Sequence, residues 1–514
     1  MERIFALLMG AMLLTIASVP WASDGLIETK VEREIKECTS ILAGKETTLD
    51  GSVMHTYSCD GAKYCYLKYT PREKHENESY AVFSFEGKKL GEIPQVNETY
   101  AVWSTMDGAD HDLPSGGLNE YGVSIAETSI PGKDVLFSEN CVMDYPNLMF
   151  LALQRSKSAR EAIDVMSALV DAYGFYMEYG GECITVADPQ EAWIFEVFGP
   201  GKEWEHGEPG AVWVARRIKD DEVFVSANRA RIGEIEGEDI TSSNIYSLAK
   251  NLKLWDGKEE FLWYDVYGID QGRYSSLREW RVFSLLAPSE HLSPEGEIYP
   301  FSIKIEPDEK IGVKDLMNIY RDTYEGTQFD ITEAEAFYIN GTKSPIASPY
   351  GRRNTKDDLW DLLGIESERT ISQSRTGFSF INQLRGNGLS VMWFADDCPG
   401  TSIYVPVYAG IKRMPERWLR CNDETFDDSA WWIFNLVNNL AFQSRYQYAI
   451  QDIRKVQSSI EGRFLTQQRA IENTALTPKA GDDLLERYSY KCANEALNAY
   501  DALAKQLVYE YYAF

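Results

Sequence analysis

Short apolar runs with a period near two alternate along the chain with longer stretches whose apolar residues recur at helical spacing. SILAG, the turn-forming KETTLDG and the renewed β-like run SVMHTY predict strand, turn and strand beginning at Thr39. Further strands are expected at Tyr80 to Phe85, Tyr100 to Ser104 and Gly122 to Thr128. NLMFLALQRSKSAREAIDVMSALVDAY, from Asn147 to Tyr173, reads as one amphipathic helix. ECITVADP and EAWIFEVFG follow as two strands around an Asp-Pro turn, and AVWVARRI and EVFVSANR repeat the pattern. From Asp428 the chain turns helical in two long amphipathic segments, which predict a C-terminal helical hairpin. Strands in antiparallel-looking pairs with grouped helices define an α+β class, with sheets packed together under helices.

The first 22 residues break this pattern. Arg3 precedes a mostly apolar run from Ile4 to Val19, and the small Ala22 and Ser23 follow, as in a secretory signal. The run falls short of the roughly 20 residues a membrane span needs, and no later segment reaches that length. Residues 23–37 are charged, helically spaced and free of Pro and aromatics, so they read as a removable pro-segment or linker. The expected organisation is a leader over 1–22, a pro-segment over 23–37, a catalytic domain over 38–425 and a helical extension over 426–514. A secreted, lysosomal, vacuolar or periplasmic destination follows from the leader. In such compartments the eight cysteines are free to pair, and sequons at Asn77, Asn97 and Asn340 offer glycan sites.

A net charge of −29 with no basic block argues against nucleic-acid binding. The five histidines include no HExxH, and no CxxC is present, so a zinc site has no support. GxSxG, GxGxxG and GxxxxGK[ST] are also missing. The chemistry therefore points to a catalyst that needs no histidine. Cys38, following the charged REIKE and opening CTSILAG, has three readings: half of a disulfide, a lipid attachment site, or a nucleophile exposed as a mature N-terminus. IKEC lacks the small apolar residues of a lipobox. For the third reading, an α-amine with a pKa of about 7.7–8.0 is a fitting base for a thiol of about 8.5.

Several segments together carry a resemblance. CTSILAGKETTLDGS, LNEYGVSIAETS, FLALQRSKSAREAIDVM, ITVADPQEAWIFEV, VSANRARIGEI, YSSLREWRVFSLL and WFADDCPGTSIYVPVYAGI occur in the order seen in a known family. The chain resembles the dipeptidases among cysteine-type N-terminal-nucleophile (Ntn) hydrolases, related to secernins and more distantly to penicillin V acylase and bile salt hydrolase. The resemblance implies a four-layer αββα sandwich and a dipeptidase acting through a thioester on Cys38, and with the leader the expectation is a secreted enzyme without a stable membrane anchor. No metal or cofactor is implied, and a homo-oligomer is left open. Asp60 falls on the aspartate that holds the nucleophile's amine and thiol in the acylase relatives, Asn228 on an oxyanion-hole asparagine and Arg278 on a bracing arginine. Two departures stand out: Tyr57 replaces the acylases' arginine, and Ser129 their second oxyanion asparagine. Cys59 is a candidate to pair with Cys65 or another thiol. An N-acyl amide hydrolase of the same fold and a non-catalytic secreted glycoprotein are the alternatives.

Overall fold

The computed structural model describes residues 37–108, 113–177, 180–296, 299–306, 309–350, 367–443, 445–476 and 481–513. The expected leader and the pro-segment up to Lys36 lie outside them. The described residues belong to one compact unit.

Fifteen strands build two antiparallel sheets. In chain order they are β1 Glu37–Ala43, β2 Val53–Asp60, β3 Tyr66–Thr70, β4 Val102–Asp107, β5 Leu113–Asn119, β6 Ser124–Pro131, β7 Gly180–Ala187, β8 Ala192–Phe198, β9 Val212–Ile218, β10 Glu222–Ser226, β11 Ile240–Thr241, β12 Ser302–Lys304, β13 Thr376–Leu384, β14 Val391–Asp396 and β15 Val405–Tyr408. The first sheet has the order β12-β10-β1-β2-β13-β14-β15, and the second runs β11-β9-β8-β7-β6-β5-β4-β3. The predicted strand at Tyr80 belongs to a separate hairpin, Ser79–Phe83 with Lys89–Pro94.

Period-two alternation explains how the sheets meet. On β1 and β2, Ser40, His55 and their neighbours of the same parity face the second sheet. His55 Nδ1 lies 2.6 Å from Ser124 Oγ, its Nε2 2.8 Å from Thr185 Oγ1, and Ser40 Oγ 2.9 Å from that same hydroxyl. Residues of the other parity turn outward, where Tyr320 donates its hydroxyl proton to the Thr39 carbonyl at 2.9 Å. The outer face of the second sheet is covered by α1 Tyr145–Arg155 and α2 Ala159–Tyr173. The first sheet is covered by α3 Arg273–Leu286, α4 Val313–Ile319 and the C-terminal α5 Ala430–Phe442, α6 Tyr446–Ala475 and α7 Gly481–Tyr512. The result is the four-layer αββα sandwich.

Two helix expectations need correction. The stretch from Asn147 to Tyr173 is two helices, because Ser158 caps α2 by accepting from the Glu161 amide while Glu161 reaches back to the Lys157 N–H at 2.7 Å. This S-x-x-E box starts a new helix inside an uninterrupted apolar period. The first C-terminal segment likewise divides into α5 and α6, so the tail holds three helices. It is tied to the sheet by Glu461, which accepts from Arg321 Nη1 at 2.9 Å and the Tyr404 amide at 2.9 Å, and by Tyr500, which donates to the Thr401 carbonyl at 2.7 Å.

Cys59 and Cys65 are separate buried thiols, as are Cys38, Cys141, Cys183 and Cys492, so the expected pairing of cysteines is not observed. Asn77, Asn97 and Asn340 are exposed. Among the described residues no helix is long and apolar enough to cross a membrane.

Candidate active site

Cys38 is the second residue of β1, in the interior of the first sheet between β10 and β2, and it is fully buried. Both of its backbone polar groups are held by side chains. Its N–H donates to Asn228 Oδ1 at 3.1 Å, and its carbonyl accepts from Arg278 Nη1 at 2.8 Å. Arg278 also donates to Asn228 Oδ1 at 3.0 Å, so the two residues and the Cys38 backbone form one closed network. Burial, with Arg369 nearby, lowers the Arg278 guanidinium to about 10, which still leaves it charged near neutral pH.

Local sequence explains these positions. Asn228 follows β10 with a left-handed φ of 65°, a conformation asparagine tolerates better than most residues. That turn aims its side chain at Cys38 while Nδ2 donates to the Ser129 carbonyl at 2.9 Å. Next in the chain, Arg229 pairs with Glu279 of α3 at 2.8 Å, and this locks the Asn228 turn to the helix that carries Arg278. Ser129, the other residue with an expected link to the oxyanion hole, offers its hydroxyl to Glu182 Oε1 at 3.0 Å.

The thiol faces the second sheet. Its Sγ lies 3.3 Å from the Tyr57 hydroxyl and 3.7 Å from Glu127 Oε1, and Tyr57 donates to that carboxylate at 2.7 Å. Cys59 stands directly across from Cys38 in the β1–β2 register. Burial foremost, then the Cys59 thiol and the Glu127 carboxylate, push the Cys38 thiol well above its ordinary value. At rest it is a protonated thiol that needs a base. Among the described residues no histidine or lysine hydrogen-bonds it; His55, on the same face, is engaged with Ser124 and Thr185.

Asp60 is placed differently from Asn228 and Arg278. It pairs in register with Glu37, one residue before the nucleophile, and alternation turns its side chain away from Tyr57 and Cys59. Its carboxylate is bonded by Arg369 and by the Thr376 hydroxyl, and no hydrogen bond joins it to Cys38 among the described residues. Burial raises its pKa against the opposing pull of Arg369, Thr376 and Arg278.

Two neighbours of the thiol, Tyr57 as a contact and Glu127, were not among the expected site residues, and neither was Glu182, which lies beyond Glu127. Glu127 and Glu182 are charged residues inside strands whose other positions are buried and largely apolar. That mismatch is the signal in IAETS and ECITVA. Beside Glu127, β5 pairs with β6 only at Leu118–Ser124 and Gly117–Ile125. Gly116 then takes φ 134°, where a Cβ would lie 2.9 Å from the Ile125 carbonyl oxygen, and β5 bulges away.

Cys38 thus opens a central strand of an αββα sandwich with its backbone held by Asn228 and Arg278. The family model for Peptidase family C69 matches residues 37–459, and the chain belongs to that family. It is 24% identical over 469 residues to a "Probable dipeptidase" of Latilactobacillus sakei, covering 86% of this chain and 89% of that one. It is 25% identical to "Probable dipeptidase B" of Lactococcus lactis, over 79% of this chain and 81% of the relative. The solved penicillin V acylase from Agrobacterium tumefaciens aligns over 72% of this chain and 86% of its own at 11% identity, with a TM-score of 0.32, a likeness too slight to bear on function.

Proposed function

We propose that this peptidase is a dipeptidase that forms a thioester on Cys38, after removal of residues 1–37 gives that cysteine a free α-amine. The observation that carries the reading is the Cys38 network: a thiol without a histidine or lysine partner, on a residue whose own nitrogen is held by Asn228 and whose carbonyl is held by Arg278. The relatives' names support dipeptides as substrates, and the family match begins one residue ahead of Cys38.

In the proposed reaction the α-amine, through a bridging water, takes the thiol proton as sulfur attacks the carbonyl carbon of the dipeptide. Charge develops on the carbonyl oxygen, where backbone N–H groups and the second amide hydrogen of Asn228 are the candidate donors. The amide C–N bond breaks, the α-ammonium returns the proton to the leaving amine, and the C-terminal amino acid departs. Water then attacks the thioester, releasing the second amino acid and restoring the thiol. Arg278 and Tyr57 hold the nucleophile in place; Asp60, through Arg369 and Thr376, braces the strand beside it. The leader supports delivery through a secretory pathway, and the exposed sequons support glycosylation where the host performs it.

Sequencing the N-terminus of the purified active protein tests the reading. A chain beginning at Cys38 is expected, and an active chain that retains residues ahead of it overturns the mechanism. Cys38→Ser is expected to leave folding intact and to lower dipeptide turnover by at least 10³-fold; wild-type turnover in that variant would also overturn it.

A further inference from the structure

Beside the nucleophile lies a pair of acidic side chains to which the mechanism above gives no task. Glu127 and Glu182 are both fully buried. Ser129 stands directly across from Glu182 in the β6–β7 register, and Glu127 is two residues before Ser129 on the same strand, so the carboxylates are diagonal neighbours. Tyr57 donates to Glu127 Oε1 and Ser129 to Glu182 Oε1, and the two carboxyls hydrogen-bond each other. Burial foremost, then Glu127 beside it, hold the Glu182 carboxyl well above its ordinary value, so the pair shares a proton rather than a cation. Among the described residues no lysine, arginine or histidine bonds either one. The shared proton offsets the cost of burying two carboxyls, and an arriving cation takes its place.

Distance identifies the cation. In a peptide attacked at its first carbonyl, the α-nitrogen lies about 2.5 Å from the carbonyl carbon, given N–Cα and Cα–C bonds of about 1.5 Å. That carbon must come within about 3.5 Å of the sulfur to react. Glu127 Oε1 lies 3.7 Å from Sγ, within reach of an ammonium so placed at a charge-assisted contact of about 2.8 Å. An ammonium also brings three donors, which suits two adjacent carboxylates. No group of three or more metal-ligating side chains forms among the described residues, so the pair does not resemble a metal cage. The nitrogen of Cys38 already faces Asn228, so it has no need of the two carboxylates.

We infer that Glu127 and Glu182 form the subsite for the free α-ammonium of the substrate, which restricts the enzyme to peptides cleaved after their first residue. The inference rests on the dipeptidase reading and adds to it the group by which the substrate is recognised.

The test compares a dipeptide with its N-acetyl derivative on the processed wild-type enzyme and on Glu182→Gln, which leaves Cys38 and its contacts untouched. Wild type is expected to favour the free dipeptide by at least 100-fold in kcat/KM. In Glu182→Gln that preference is expected to fall at least tenfold, mainly through a higher KM for the free dipeptide, with any loss on the acetylated one at least tenfold smaller. An unaltered preference, or an equal loss on both substrates, overturns the inference. If Glu182→Gln does not fold, inhibition of wild type decides: an analogue in which hydrogen replaces the α-amine must bind at least tenfold more weakly than the parent dipeptide, and equal binding refutes the subsite. A wild-type enzyme that cleaves no dipeptide refutes the dipeptidase reading instead, so the two failures are distinct.

Discussion

Replacing Arg278 by lysine keeps the charge and removes the geometry, which makes it the sharpest test of how the nucleophile is held. The guanidinium is fully buried, and its five hydrogen bonds end on the Tyr274, Cys38 and Ala227 carbonyls, Thr39 Oγ1 and Asn228 Oδ1. None of those acceptors is a carboxylate. An ammonium has three donors at a single point, so at least two of the five must go unmet. Hydrogen bonds to a charged group contribute about 1.5–3 kcal/mol each, giving a gross loss of about 3–6 kcal/mol and a net loss near 3 kcal/mol once neighbours relax. Because two of the acceptors belong to Cys38 and Asn228, a shift of the nucleophile follows, worth about 100-fold in kcat with little change in KM. Urea unfolding and steady-state kinetics on one dipeptide measure both quantities. A variant with wild-type stability and kcat would refute the claim that Arg278 fixes the Cys38 carbonyl.

Asn228→Ala removes the acceptor for the Cys38 nitrogen and is expected to lower kcat by about 10²–10³ while moving KM far less; a change confined to KM would assign Asn228 to substrate binding. His55, pushed down to about 3 by burial, sets a pH dependence of stability. Neutral when folded and titrating near 6.5 when unfolded, it contributes stability that is present above 6.5 and lost as pH falls toward 3, by about 1.4 kcal/mol per pH unit. Glu196, pushed up to about 7 by burial, acts in the opposite sense between about 4.5 and 7, so the His55 contribution is read as the difference between wild type and His55→Gln. Urea midpoints for the two proteins should converge as pH drops from 7 to 4; parallel curves would contradict the assignment.

The parts of the fold that sequence made legible are those with a clear period. The β1–β2 hairpin and the strand pairs of the second sheet stand close to where alternation and turn residues put them. β13, with sequence TGFSFINQL, was not predicted because it is buried along its whole length, and a strand covered on both faces carries no alternation to read. The break at Ser158 was hidden for a related reason: the apolar period continues through it, and only the box formed with Glu161 reveals a new start. In the site, hydrogen bonds bring Cys38, Asn228 and Arg278 together. Asp60 does not join them in hydrogen bonding, because the register sets it opposite Glu37, and one-residue parity decides which face a strand side chain occupies. The cysteines invited pairing by number alone, yet separate elements hold most of them apart. Glu127 and Glu182 needed a knowledge of burial before their charge became informative.

The family match ends at residue 459, partway along α6, while Glu461 and Tyr500 reach back to Arg321, Tyr404 and Thr401 from beyond that limit. Anyone trimming this gene to the recognised homology region for expression would discard those tethers. The remaining polypeptide would display an uncovered flank of aromatic and aliphatic surface to water, and sticky, short-lived preparations would be the practical outcome.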